Sequence, residues 1–140
     1  MPLDLPAWAH ELIEAERVAR LAFSDGDAHP RVLPVTFAVT DGVAWSAIDR
    51  KPKRMPEPAR VRWLRDRPEA ALCIDRYSDD WAELAWVQLL GRVAVLDLAE
   101  AWPGLDALTA KYPQYRGDAP PGPVLRLEVE RALSWRAADG

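Results

Sequence analysis

Residues 31–49 read RVLPVTFAVTDGVAWSAID, and the repeat within this stretch sets the fold class. Leu33, Val35, Phe37 and Val39 alternate with Val32, Pro34, Thr36 and Ala38. After Asp41-Gly42 the pattern resumes, with Val43, Trp45 and Ala47 against Ala44, Ser46 and Ile48. A period of two marks a strand with one buried face, and Asp-Gly between two such runs marks a tight turn. The stretch therefore predicts adjacent antiparallel strands over 31–39 and 43–49. Pro34 has no N–H to give to a ladder, so the first of them should lie at a sheet edge or carry a bulge.

Reading outward extends the pattern. Upstream, an apolar run over 18–23 and the turn-forming Ser24-Asp25-Gly26-Asp27 make 31–39 the second arm of a hairpin. Before it, Trp8, Leu12, Ala15 and Ala19 recur at helical spacing, with Glu11, Glu14 and Glu16 preceding Arg17 and Arg20, which predicts a first helix over 5–20. Downstream, prolines 52, 56 and 58 punctuate a basic loop, and a short helix is expected over 57–67 with Val61 and Leu64 inward, stopping at Pro68. Strands follow at 70–77 and 84–96, the second with Gly91 as a bend or bulge. An acidic helix over 97–111, interrupted by Pro103-Gly104, leads through a Pro- and Gly-rich loop at 117–123 to a last strand over 125–135. Six strands joined mainly by hairpins, with three short helices, lack the βαβ rhythm of a parallel sheet. The expected fold is mainly β (α+β): a six-stranded antiparallel barrel with helical decorations.

The chain has 140 residues, of which 49% are hydrophobic and 29% charged. That length buries roughly 68% of the unfolded surface, enough for one core, so residues 1–140 are expected to form one domain. No apolar run approaches the ~20 residues of a membrane helix, so no membrane partner is expected. No basic segment followed by an apolar stretch and a small-residue cleavage site opens the sequence, and a cytoplasmic protein is expected. Cys73, the only cysteine, lies in an apolar stretch and reads as a buried, inert thiol.

Charge is unevenly spread. Residues 50–67 carry eight basic side chains against two acidic ones, a local balance of +6, so that the rest of a chain of net charge −4 carries −10. A general nucleic-acid binder would be basic overall. This chain repels polyanions except in one place, which points to a local anion site. At its start, Asp49, Arg50, Lys51, Lys53 and Arg54 follow Ser46 and Ala47 out of a strand toward a helix N-terminus, an arrangement suited to a phosphate or carboxylate. Catalytic constellations are otherwise missing. The sequence has no P-loop, GxGxxG, GxSxG or HExxH, and only His10 and His29 are available, so no metal site is expected.

Several stretches together resemble a known family: Arg17 to Ala22 (RVARLA), Val32 to Phe37 (VLPVTF), the KPKR of 51–54 within Ser46 to Arg54, Asp75 to Trp81 (DRYSDDW) and the KYPQY of 111–115. In that order they look like the pyridoxamine-phosphate-oxidase-like split barrels, most closely the branch of deazaflavin (coenzyme F420)-dependent oxidoreductases. The resemblance implies a six-stranded split barrel and a homodimer with two cofactor sites at its interface. Lys51, Lys53 and Arg54 would hold the phosphate end of the cofactor. Thr36, Phe37, Ser46 and Ala47, with Asp49 beside them, would line the ring and its linker, and Trp86 would reach over from the partner subunit. Glu57-Pro58 and Gln88 depart from the family pattern, which bears on contacts to an acidic cofactor tail rather than on the fold. The implied activity is hydride transfer between coenzyme F420 and a small organic substrate. A flavin mononucleotide (FMN) or heme cofactor, or a non-catalytic carrier, are the alternatives. FMN needs less positive charge, so the long basic segment favours the deazaflavin. In such chemistry the cofactor does the hard step, which accounts for the missing triad.

Overall fold

The computed structural model describes residues 2–48 and 57–140. Helix α1 (Ala7–Ala15) leads into strands β1 (Ala19–Ser24), β2 (Pro30–Val35), β3 (Ala38–Thr40) and β4 (Val43–Ala47). Then come α2 (Ala59–Asp66), β5 (Glu69–Arg76), β6 (Ala85–Leu96), α3 (Trp102–Lys111), α4 (Gln114–Gly117) and β7 (Val124–Arg136), with short 3-10 turns between some of them. All strand pairs are antiparallel, and the sheet order is β2-β1-β5-β6-β7-β4-β3. No described helix is long and apolar enough to cross a membrane.

The order itself shows how the sheet curls. β2 and β3 are its two edges, yet only Thr36 and Phe37 separate them in sequence. The three Cα–Cα steps from Val35 to Ala38 span no more than about 11 Å, so the end of one edge must meet the start of the other and the sheet must roll up. Edge status also suits Pro34, which stands opposite Arg20 and has no second neighbour to serve.

Seven strands rather than six result, because the stretch expected as one strand over 31–39 breaks at the crossover. Phe37 and Ala38 are both buried, so the alternation of faces slips there. The backbone of Phe37 bonds to a tyrosine hydroxyl instead of a neighbouring strand. Three helical expectations also change. The first helix ends at Ala15, because Ala19 already belongs to β1, and its buried residues are Ala9, Leu12 and Ile13. Pro103 and Gly104 sit in the first turn of α3, where proline is tolerated, instead of interrupting a longer helix. The segment after Lys111 contains the extra short helix α4.

Two apolar clusters form the core. The larger fills the curl with residues such as Leu21, Ile74, Val87, Leu89 and Leu127 and is closed by α1 and α2. The smaller lies between α3 and the β3–β4 edge, around Trp45, Ala47, Leu108 and Tyr112. Gly104 lets α3 approach, since a Cβ there would fall 2.1 Å from the Trp45 ring. The expected bend in the long strand is a register shift between Leu90 and Gly91 against β7. Cys73 is only half-buried, on the outer face between Arg20 and Gln88, because β5 shows alternate residues to the outside and burial covers one face.

Candidate functional site

The crossover that closes the sheet is also where the polar groups converge. α3 ends at Lys111, and Tyr112, in extended conformation just past it, points its hydroxyl at Phe37. That oxygen accepts the Phe37 N–H at 2.9 Å and lies 3.0 Å from the carbonyls of both Phe37 and Arg17, which share its one proton. Pro113 then turns the chain into α4 and brings Tyr115 edge-on against Tyr112, ring centres 5.8 Å apart. The Tyr115 hydroxyl is 2.9 Å from the Thr36 hydroxyl. From the other side, the Ser46 hydroxyl donates to the Thr36 carbonyl at 2.8 Å. Thr36 is thus held at two points, its hydroxyl and its carbonyl, with the residue half-buried at the seam between the two sheet edges.

Charge secures the same spot. The Lys111 amine donates to the Ile13 carbonyl at 3.0 Å and stands 3.6 Å from the centre of the Phe37 ring. Arg17 donates to the Lys111 carbonyl at 2.6 Å and covers the Tyr112 ring at 4.7 Å. Burial pushes Lys111 down from 10.5 to about 8, with Glu14 opposing and Arg17 adding to the shift. Between those values the unfolded chain binds a proton that the folded chain has released, so stability rises with pH there, and the cost of burying the charge is fully present below about pH 8. Burial pushes the Cys73 thiol and the Tyr112 phenol up, and in alkali both act in the opposite sense. The Lys111 contribution is therefore read as a difference. The stability of the wild type minus that of Lys111→Met, from urea melts, should rise between about pH 7 and about pH 9.5. A flat difference would contradict the buried-ammonium account.

The residues singled out in the sequence fall into three groups. Thr36, Phe37, Ser46 and Ala47 come together at the crossover. Phe37 and Ala47 are buried and Ser46 is spent on Thr36, so of the four it is Thr36 whose side chain reaches the surface. Asp49, Lys51, Lys53 and Arg54 lie outside the described residues. Trp86 stands on the outer face of β6, opposite Asp75 and Trp135, and takes no part in the hydrogen bonds around Thr36. In the rest of the basic segment, Arg65 pairs with Glu57 at 2.9 Å and Arg67 donates to the Asp25 carbonyl, so these two cations serve the fold. Lys111, Tyr112, Tyr115 and Arg17 are not among the expected site residues, although the KYPQY string holding three of them is part of the family resemblance. Two tyrosines three apart around a proline were the available signal.

Other places are less suited to an anionic ligand. A cleft of about 480 Å³ between the N-terminal segment and β7 is lined by the carboxylates Asp4, Asp41, Glu128 and Glu130 against a single cation, Arg131, which is the wrong balance. The void inside the curl, beside Leu21, Ala44 and Leu72, measures about 10 Å³, too little for more than a water. Asp25, Asp27 and His29 bring potential ligand atoms within 4.8 Å of one another. Asp25 Oδ1, however, already accepts the N–H groups of Asp27 and His29, and Oδ2 faces Arg31 at 3.5 Å. The His29 N–H bond, foremost, holds the Asp25 carboxyl below its ordinary range, as a turn-closing group.

The fold has solved counterparts. A "FAD-binding protein" of Mesorhizobium loti is 22% identical, with a TM-score of 0.67 over 93% of this chain and 94% of its own. A Clostridium acetobutylicum protein related to general stress protein 26, of the "pyridoxinephosphate oxidase family", is 18% identical, with a TM-score of 0.65 over 94% and 87%. A "heme binding protein" of Mycobacterium smegmatis, also 18% identical, gives 0.67 over 96% of this chain but 60% of its own. At such identities the likeness shows a shared fold. No curated protein matches the chain. The family model described as pyridoxamine 5'-phosphate oxidase matches residues 5–136.

Proposed function

We propose, from the premise that this chain belongs to the pyridoxamine 5'-phosphate oxidase family, that it is an oxidoreductase holding a flavin-type cofactor at the Thr36 crossover, with the cofactor's phosphate on the basic segment that follows β4. The observation that carries this reading is the Ser46–Thr36 bond. It fixes the end of β4 beside Thr36, so the chain enters the Lys51, Lys53 and Arg54 stretch from the crossover itself. The donor set fits such a group: a half-buried neutral hydroxyl beside apolar residues suits the edge of a heterocycle, and the following cations suit a phosphate. When bound, the cofactor supplies the hydride chemistry, and the chain's residues bind and orient it.

Coenzyme F420 is the finer form of the proposal, supported by eight cations against two carboxylates over residues 50–67. FMN is the second reading. It is favoured by the engagement of Arg65 and Arg67 within the fold, which leaves fewer cations for an acidic tail, and by likeness to a protein described as FAD-binding.

Lys53→Ala or Arg54→Ala should weaken binding of coenzyme F420 or FMN ten-fold or more. One charge-assisted hydrogen bond is worth about 1.5–3 kcal/mol, and ~1.4 kcal/mol is a decade of affinity. Added salt should weaken the wild type, and the variants less. Arg92→Ala, which removes an exposed partner of Glu69, is the control. Equal affinities for the wild type and both variants across a salt series would remove the cation segment from the site.

The reading includes a homodimer. On this reading a second copy packs on the outer face of β2, β1, β5, β6 and β7, where Val32 is 63% and Trp135 40% exposed and Leu90, Leu133 and Trp86 share the face with the Arg20–Asp75 ion pair. An interface of ~2,000 Å² or more is expected, so sedimentation at micromolar concentration should give a dimer. A monomer there would remove the shared site and the role of Trp86.

A further inference from the structure

The strand ladders place the crossover in one row with two tryptophans. Trp86 on β6 stands opposite Asp75 on β5 and opposite Trp135 on β7. Arg20 on β1 faces Cys73, so the β1–β5 register, carried two residues further, sets Val18 beside Asp75. On the other side Ala19 faces Val35, and one step further Val18 meets Thr36. Thr36, Val18, Asp75, Trp86 and Trp135 therefore share one line across the sheet, about 19 Å long at four strand spacings. They also share its outer side. Val35 and Phe37 on either side of Thr36, and Ala19, Ile74 and Val87 beside the others, all belong to the core inside the curl, whereas Val18 and Trp135 are each 40% exposed. The two ends of the row differ in kind: Thr36 and Val18 offer a hydroxyl and a small apolar group, and Trp86 and Trp135 offer two indoles.

A sheet face is a single wall, and a heterocycle held at Thr36 needs a second, since ligand sites bury most of the ligand. The Trp135 ring of the same chain cannot supply it across the width of the face. A second copy can. The central charges of the face, Arg20 and Asp75, pair with each other at 3.1 Å, so a second copy brings no unmatched charge to the middle of the contact. We infer that the partner's Trp135 stacks on the cofactor heterocycle held at Thr36, so that each site combines the crossover of one chain with the aromatic end of the row of the other. A two-fold axis along β5, the middle one of the five strands, lays β7 of one copy over β2 of its partner and forms both sites at once, as a closed two-fold dimer requires. The inference rests on the cofactor and dimer readings above and adds to them the side chain that covers the ring.

The test uses mixed dimers of the full-length chain, titrated with FMN and with coenzyme F420. Trp135→Leu keeps apolar bulk on the face and removes the ring. Its homodimer should bind about ten-fold more weakly, the usual worth of a ring stacked on a heterocycle, and should still sediment as a dimer. A chain carrying both Lys53→Ala and Arg54→Ala supplies the second defect, at the anionic end of the site. In a mixed dimer of the two chains, the crossover and cations of the Trp135→Leu chain meet the intact Trp135 of the other, so one site per dimer should return to wild-type affinity. If Trp135 served its own chain, both sites of the mixed dimer would carry a defect and neither would return. Should the cation variant bind normally, Thr36→Arg, which fills the crossover, takes its place. Should Trp135→Leu fail to dimerise, the same two chains joined in tandem by a flexible linker decide the question. Wild-type affinity in the Trp135→Leu dimer, no regained site in mixed or tandem dimers, or a wild-type chain that binds its cofactor as a monomer would overturn the inference while leaving the cofactor reading intact. Failure of the wild type to bind either cofactor would overturn both.

Discussion

Gly91→Ala is expected to lower stability by roughly 3 kcal/mol or more. A Cβ at this position would lie 1.8 Å from the Glu128 carbonyl oxygen and 3.2 Å from the Glu130 amide nitrogen. These are backbone atoms of β7, which cannot swing aside as a side-chain end can. Here Gly91 faces Val129 while Leu90 faces Arg131, so Glu130 is the extra residue of a bulge. β6 and β7 form the longest ladder in the sheet, running from Ala85–Arg136 to Leu96–Val124. Prising them apart at the bulge therefore disturbs pairing on both sides. Gly117→Ala, with nothing within 4 Å of the added carbon, is the control and should stay within about 1 kcal/mol of the wild type. Urea melts would settle the comparison, and equal midpoints for the two variants would refute this description of the bulge.

Tyr112→Phe should cost roughly 2 kcal/mol or more through a different cause. The ring stays and fills the same space, but the hydroxyl that serves Phe37 is gone. Phe37 has no exposed surface, and its N–H would be left buried without a partner, a penalty of about 1–3 kcal/mol. Its carbonyl and that of Arg17 lose the shared proton as well. Because this hydroxyl stands where the two sheet edges meet, the amide of Phe37 should also exchange with solvent faster in the variant. Tyr115→Phe, with a half-buried hydroxyl, should cost less than about 1 kcal/mol. A Tyr112→Phe protein as stable as the wild type would mean that something other than this clasp holds the crossover.

These two sites also mark what a sequence reveals. The bulge at Gly91, the edge position of the Pro34 strand and the hairpin at Asp41-Gly42 were legible because each follows from local chemistry: a missing side chain, a missing N–H, a turn-forming pair. The break at Thr36 and Phe37 was not. Apolar residues keep a period of two straight through it, and the group that ends the strand is 75 positions away. Pro103-Gly104 was misread for a similar reason, since Gly104 answers to Trp45 on another element. Of the candidate site, the cation excess over 50–67 was countable, but its internal partners Glu57 and the Asp25 carbonyl were not. Thr36 could be singled out by resemblance, whereas the tyrosines that hold its segment became visible only when α3 and α4 were placed against the crossover.

The central claim is that a flavin-type cofactor binds at this crossover through its anionic end. Its most direct test is a spectroscopic titration of the purified chain with coenzyme F420, FMN and heme, at low salt and again with salt added. The account predicts saturable binding of coenzyme F420 or FMN that weakens as salt rises. Binding of heme alone, or of none of the three, would contradict it.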